Sequence, residues 1–424
     1  MFRGLSTDQA PPFEVVYRFF LVAPISLTII GFILIFGDTE LILSRHSNLA
    51  ISIIHLFTIG YMSMIMIGAS MQFLPVIVGA VYENPKTITK YLLSSLILFL
   101  ILFVYGFLNN QNEIFFYASY IIFVAILYFS IISIRKIDSL KLSDFTSKSI
   151  KIAFILFIIG LILGVNLLLS FSNNNFSQYH FDIAFAHSII MLFGWGLFFI
   201  LAIAFKVIPM FWVASDYEKS QIKLFHYLLF FVFVLIVLNI FLQNQTIKIV
   251  ALSNLSIVLL SFSYITIDKL NNRKRKVSDI SVELWQSSMK WLFSGGILIF
   301  LNLFINIDSS ISAPLFAVVF GYGFIVSLTI GMLYKIIPFL SWWHSSTTLA
   351  QKGIFSVPTI KDMIPNQDIV VQKKLHYLTL LFLVIGIKSV LILKVASILM
   401  IISNIYLYKN FSSAINTYKK LILS

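Results

Sequence analysis

The chain has 424 residues, of which 59% are hydrophobic and 11% charged, with a net charge of +13 and a mean hydropathy of +0.96. Soluble globular proteins carry roughly 25% charged residues, so this composition excludes a water-soluble fold and predicts an integral membrane protein. The sequence contains no cysteine, which excludes disulfides, thiolate metal ligands, iron–sulfur clusters and cysteine nucleophiles.

Apolar runs predict an all-α fold of about twelve transmembrane helices, because each span needs about 20 mainly apolar residues. In chain order the runs cover 16–36, 49–79, 91–108, 114–134, 150–170, 185–211, 224–242, 249–267, 289–307, 315–343, 375–393 and 395–408. The loops between them are too short for a separate soluble domain. The polar segment before the first run has no small-residue cleavage site, so a removable signal peptide is not expected.

The basic residues predict the topology. Lys and Arg concentrate after the fourth, sixth, eighth and tenth runs and in the C-terminal tail, whereas the loops at 107–113, 173–182 and 307–312 contain none. By the positive-inside rule, both termini are predicted to face the cytoplasm. The net positive charge is thereby explained by topology and the lipid bilayer, and a nucleic-acid partner is not expected.

An internal repeat is indicated by the three longest runs, which end in FLPVI around Pro75, VIPMF around Pro209 and IIPFL around Pro338. A glycine stands fifteen residues before each proline, at Gly60, Gly194 and Gly323. The runs that follow open alike, with KYLL, HYLL and HYLT. Glycine and proline are common in membrane helices, but their fixed order predicts three pseudo-repeats of four helices, at roughly 1–140, 141–276 and 277–424 of a single membrane domain 1–424.

His55 and His187 are the first candidates for a cofactor site. Both lie in long apolar runs, where an ionisable side chain is costly to bury and is a functional candidate by default. Histidine is also a common metal ligand and an axial haem ligand. The two residues precede their prolines by 20 and 22 positions, and a shift of two residues turns a helix by about 200°. The alternative is a buried histidine that bonds a backbone carbonyl or water.

The remaining histidines are weaker candidates for metal ligation. His226, His344 and His376 fall at predicted cytoplasmic helix ends and would converge if those ends met, and the alternative is that they are interfacial residues. His180 lies near the start of the sixth run, where it could join His187, whereas His46 is assigned to a loop. Gly60 and Gly194 could let a porphyrin approach the backbone, although small residues also serve close helix packing.

The segment HLFTIGYMSMIMIGASMQFLPVIVGA (His55–Ala80) resembles the second helix of subunit I of haem–copper oxidases. The resemblance implies twelve helices, cytoplasmic termini and threefold pseudosymmetry. It implies that His55 ligates a b-type haem. His187 is similar, by helix and depth, to the copper ligand of helix six in that family. Copper is therefore a second possible cofactor.

The sequence departs from that family at the oxygen-reducing centre. Run six lacks the His-Pro-Glu-Val-Tyr phrase, run seven lacks the His-His pair, and run ten lacks the two haem-ligating histidines, so an oxygen reductase is not expected. The chain is closer to the NnrS-like branch and to bacterial multi-pass membrane proteins that share its opening (Leu5–Phe20) and the phrase GMLYKIIPFLSWWH (Gly331–His344). This resemblance implies a bacterial inner membrane location and, as partners, respiratory-chain proteins or quinone.

Two classes of function remain open at the level of sequence. The first is a haem- or copper-binding protein with a role in nitric-oxide response, electron transfer or oxidase assembly. The second is a cofactor-free transporter, or a scaffold for a respiratory complex. Most transporters of this size show two related halves, whereas three repeats are predicted here. This difference argues against the transporter. No catalytic residue is identified, and whether the protein is an enzyme is left open.

Overall fold

The computed structural model of the protein describes residues 9–142, 144–277, 279–305, 307–354 and 358–423. The chain is 85% helical, and these ranges contain no β-strand. The long helices are α1 Phe13–Phe36, α2 Asn48–Val78, α3 Pro85–Asn109, α4 Ile114–Ser139, α5 Phe145–Ser172, α6 His180–Trp212, α7 Lys219–Leu242, α8 Gln245–Asn271, α9 Ile280–Asn302, α10 Ser309–Gln351, α11 Asn366–Gly386 and α12 Val390–Leu423. The prediction of an all-α membrane protein is confirmed.

Eleven helices of the described chain are long and apolar enough to cross a membrane, and α9 is the long helix outside that set. It begins nine residues before the predicted ninth run. The added turns carry Glu283 and Gln286, and Lys290 follows within the predicted run. These side chains lower the hydropathy of the helix, because charged and polar groups are costly within a bilayer. A twelfth long helix therefore forms as expected, but its composition does not mark it as a span.

The predicted boundary between the last two runs is wrong. The prediction continued one run from 375 to 393, whereas α11 begins at Asn366 and ends at Gly386. A Cβ on Gly386 would lie 2.9 Å from both the Cα and the backbone nitrogen of Leu393. Because only glycine permits this approach, the chain can turn here within three residues and start α12 at Val390.

The chain forms two compact units. Unit 1 contains Met1–Ala10, Ser70–Val277 and Leu292–Asn306, and unit 2 contains Pro11–Ala69, Ser278–Trp291 and Ile307–Ser424. Helices pack in sequence-adjacent pairs in unit 1, with α3 on α4, α4 on α5, α5 on α6 and α7 on α8. In unit 2, α12 packs on α1, α10 and α11.

Close packing holds each unit together, because lipid is as apolar as leucine and gives helices little hydrophobic reason to associate. In unit 1 the Trp195 ring is fully buried and stacks on Phe157 at 4.2 Å between centroids. In unit 2, Gly68 of α2 faces Phe19 and Phe20 of α1, where a Cβ would come within 2.9 Å of either side chain.

The three helices that carry the repeated proline phrase, α2, α6 and α10, are each interrupted by wider, π-helical turns. These segments are Thr58–Ser63 and Leu74–Val78 in α2, Ile190–Leu197 in α6 and Ala317–Val326 in α10. The glycine fifteen residues before the repeated proline falls inside the first α2 segment and inside the α6 and α10 segments. Since π turns are rare and concentrate at functional sites, they direct attention to the side chains beside them.

Candidate functional site

His55 lies in the third turn of α2, just before its first π segment. The Nδ1 atom is 2.9 Å from the carbonyl oxygen of Ile51, one turn earlier in the same helix. When Nδ1–H donates to a carbonyl, the lone pair of the imidazole is on Nε2, which is the usual arrangement of a metal-ligating histidine. The half-buried ring of His55 therefore has the tautomer that ligation through Nε2 requires.

His187 occupies a similar place in α6, one turn before the π segment of that helix. Its Nδ1 is 2.8 Å from the carbonyl oxygen of Gly160 in α5. A Cβ on Gly164 would lie 2.6 Å from Cε1 of this ring, so this glycine of α5 makes room for the imidazole. The bond between helices stabilises the pairing of α5 and α6, and it leaves the lone pair on Nε2 as in His55.

A second axial histidine is not found on the helix that faces α2 in unit 2. Gly321 of α10 lies against Phe57, and Tyr61 Oη is 2.7 Å from Thr329 Oγ1, so α2 and α10 run parallel. The sole histidine in the sequence of α10 is His344, about four turns beyond Thr329 and away from His55. The donor set around His55 fits one axial ligand of a haem.

A copper centre of several histidines does not fit the observed side chains. Among the residues that the structure describes, no group of three or more His, Cys, Asp or Glu side chains could hold a metal ion. His180 lies seven residues before His187 on α6, which is about 10 Å along the helix axis. One ion does not bridge that separation. The ring of His180 instead packs edge-on against Phe171 and Phe176.

The two glycines proposed to admit a porphyrin lie in π segments and are buried. At Gly194 the space that a side chain would fill is taken by Leu156 of α5, at 3.2 Å from an ideal Cβ. This glycine therefore serves the close approach of α5 and α6 rather than an open cradle. Gly60 stands directly before Tyr61, whose hydroxyl bonds to Thr329.

His46 lies in the short connection between Thr39–Leu43, a single helical turn, and α2, as expected. Arg45 Nε donates to His46 Nε2 at 2.8 Å. Partial burial and the positive charge of Arg45 lower the pKa of His46 below its ordinary value. The neutral ring is thus favoured, and the assignment of this residue to a loop is consistent with its surroundings.

His344 and His376 belong to unit 2 and lie far apart. The imidazole of His344 stacks on Phe13 at 5.8 Å and meets Tyr418 edge-on. His376 contacts Ser327, which lies 17 residues before His344 on α10, or about 25 Å along the helix axis. The structure does not bring these two histidines together. His376 also lies at the middle of α11 rather than at its end, because the helix starts earlier than predicted.

His226, in unit 1, has hydrogen bonds on both ring nitrogens. Nε2 is 2.6 Å from Ser149 Oγ on α5, and Nδ1 is 2.6 Å from the carbonyl oxygen of Ile222. The half-buried ring also meets Phe198 edge-on. This arrangement satisfies the side chain through ordinary helix packing, in line with the alternative interpretation for this residue.

The sequence analysis missed a buried polar cluster in unit 2. It surrounds His376 and is formed by side chains of α10, α11 and α12: Tyr322, Ser327, Gln372, His376, Thr379, Ser403 and Asn404. All of these are at most 5% exposed. The signal that could have revealed the cluster is the helical spacing of Gln372, His376 and Thr379, which places them on one face of α11.

The comparisons with known proteins leave the chain without an assigned family. No protein-family model matches it, and no curated protein is significantly similar to it. The functional interpretation therefore depends on the residues and their geometry.

Proposed function

We propose that the protein binds a b-type haem in the membrane, with Nε2 of His55 in unit 2 as its ligand. We propose His187 in unit 1 as a separate cofactor-binding histidine. The observation that carries the proposal is the matched setting of the two rings. Each lies shortly before a π segment of a long helix, and each holds Nδ1 against a main-chain carbonyl so that Nε2 carries the lone pair. A haem held in this way would supply one-electron chemistry.

The architecture proposed with this function is that of haem–copper oxidase subunit I, with three four-helix repeats. It is supported by the π segments of α2, α6 and α10, which coincide with the repeated glycines. The offset of two residues between His55 and His187 falls across these segments. Since a π turn has more residues than an α turn, such segments provide the local irregularity that an offset between repeats requires.

The proposed location is the bacterial inner membrane, with both termini in the cytoplasm. The support is the concentration of Lys and Arg in alternate loops. Partners of matching chemistry are quinone and respiratory-chain proteins, with roles in nitric-oxide response, electron transfer or oxidase assembly. The departures in runs six, seven and ten argue against oxygen reduction by this chain.

The experiment is the iron and copper content of protein purified in mild detergent, for the wild type and for His55→Ala, His187→Ala and His46→Ala. The loop variant His46→Ala is the matched control, because it removes a histidine without touching the proposed ligands. Stoichiometric iron in the wild type and control, and its loss in His55→Ala, is the expected result. Metal-free wild-type protein, or iron unaffected by either ligand variant, would refute the proposal.

A cofactor-free transporter is the second candidate, and the polar cluster around His376 is the observation that favours it. Polar side chains within membrane helices mark pathways for ions and small solutes. The same metal analysis separates the candidates, because a transporter of this kind would fold and purify without iron or copper.

A further inference from the structure

The cluster around His376 contains three buried polar atoms without a hydrogen bond. In the described chain these are Nδ1 of His376, Oε1 of Gln372 and Oη of Tyr322. A buried polar atom without a hydrogen bond destabilises the folded protein, and native structures keep few such atoms. Three within one cluster therefore call for a ligand that supplies the missing bonds.

The three side chains lie near one another where α10, α11 and α12 meet. The His376 ring stacks on Tyr322 at 5.0 Å, and its Nε2 is 2.8 Å from Ser327 Oγ. The Tyr322 hydroxyl is directed toward Thr379, Ser403 and Asn404 without forming a well-aligned bond to any of them.

Gln372 extends the cluster by one turn toward the start of α11. Its Nε2 donates to Ser403 Oγ at 3.2 Å. A further turn back, Asn410 Nδ2 donates to Tyr334 Oη at 3.0 Å and to the carbonyl of Asp368 at 3.2 Å. Oδ1 of Asn410, too, lacks a partner within the residue ranges that the structure describes.

These side chains form a polar track along one face of α11. The positions 368, 372, 376 and 379 are spaced as one helix face, and they span about 16 Å of helix rise. Half the thickness of a hydrocarbon core is about 15 Å. The track thus leads from the charged beginning of α11, where Asp368 lies 4.0 Å from Lys409, to the middle of the helix.

We propose that this face of α11 binds a file of water molecules, forming a hydrated inlet that opens at the start of α11, passes His376 and ends at Thr379. Water fits because the buried atoms without a hydrogen bond include both acceptors and a hydroxyl. A buried water needs two to four polar partners. The polar groups along the inlet are neutral, as in a water path. The acidic Glu283 beside α11 is paired with Lys373. The inlet is independent of His55 and His187.

The experiment is silver-ion modification of single cysteines in reconstituted vesicles. The natural chain has no cysteine, so each introduced thiol is read without background. Ser403→Cys is the primary variant, because the substitution is nearly isosteric. Gln372→Cys reports the outer part of the track and Thr379→Cys its inner end. Leu380→Cys is the matched control, buried at the same depth at 3% exposure. Remaining free thiols are counted after denaturation by maleimide labelling.

The expected result is modification of the three track positions about tenfold or more faster than Leu380→Cys, since thiols react where water supports the thiolate. Track positions that react no faster than Leu380→Cys, in variants that elute from gel filtration like the wild type, would overturn the inlet. Equal, rapid reaction at all four positions would overturn it as well, because the protection would then not follow the polar face.

Discussion

The same His-Tyr-Leu phrase lies two turns into α7 in unit 1 and near the middle of α11 in unit 2, yet the two histidines have different surroundings. His226 is half-buried and bonded through both nitrogens, whereas His376 is fully buried and bonded through one. The repeated phrase tells only which residues neighbour the histidine along its own helix. The neighbouring helices decide whether its polar atoms are satisfied. The contrast separates packing at His226 from a binding face at His376.

The largest effect is expected from glycines at matching positions of the two units. A Cβ on Gly323 would lie 2.7 Å from the Trp291 ring and 3.1 Å from the Cβ of Trp291. Because the Cβ of Trp291 is also in contact, a rotation of the indole ring cannot relieve the clash. Gly323→Ala should lower the free energy of unfolding by about 2–3 kcal/mol through overpacking. Gly194→Ala meets Leu156 at 3.2 Å and should cost less than about 1 kcal/mol, because alanine's better helix propensity offsets the crowding.

Thermal unfolding of both glycine variants in detergent measures this difference. An equal loss at the two positions would mean that the close contact with Trp291 yields at little cost. The tighter packing assigned to unit 2 at this position would then be incorrect.

A smaller effect is expected from the serines that bond the two histidines. Ser327→Ala should cost about 1–2 kcal/mol, because it removes the one hydrogen bond seen for the His376 ring in the described chain, deep inside unit 2. Ser149→Ala should cost about 0.5 kcal/mol, because His226 keeps its bond to Ile222 and is partly exposed. Unfolding midpoints of the pair provide the test. A larger cost for Ser149→Ala would reverse the comparison.

The smallest effect is expected from two ion pairs, one in each unit. In unit 2, Lys335 Nζ lies 2.7 Å from Asp279, whose side chain is 26% exposed. Partial burial raises the pKa of Asp279, but the hydrogen bonds from Lys335 and Ser281 outweigh burial and hold it below its ordinary value. A depressed folded-state pKa adds stability above the unfolded pKa, and that stability is lost as pH falls through the folded pKa.

Asp279→Asn should therefore destabilise the protein by about 1 kcal/mol or less at neutral pH, and the difference from wild type should vanish under acid conditions. The control is Glu83→Gln in unit 1, where the Lys136–Glu83 pair has a carboxylate that is 81% exposed. No measurable change is expected there. A difference for Asp279→Asn that persists or grows in acid would contradict this assignment.

Hydropathy and helical length predict the all-α membrane architecture well, because apolar runs of membrane length leave few alternatives to a helix. The boundary after Gly386 was missed since a tight glycine turn leaves hydropathy unchanged on both sides. The π segments were missed for a similar reason, because their sequences are as apolar as the α-helical turns beside them.

The sites were harder to predict than the helices. The orientation of His55 and His187 depends on carbonyl partners, and for His187 that partner is Gly160 on another helix, which sequence spacing does not reveal. The polar face of α11 was within reach of sequence reasoning. The predicted run begins at 375 and therefore places Gln372 in a loop. For this reason the prediction does not put Gln372 on the same helix as His376.

The most direct test of the proposed haem site is a reduced-minus-oxidised absorption spectrum of the protein purified in mild detergent. We expect a Soret band and the α-band of a b-type haem, with the signal lost in His55→Ala and retained in the loop variant His46→Ala. A flat difference spectrum from well-folded wild-type protein would contradict the account and would favour the transporter.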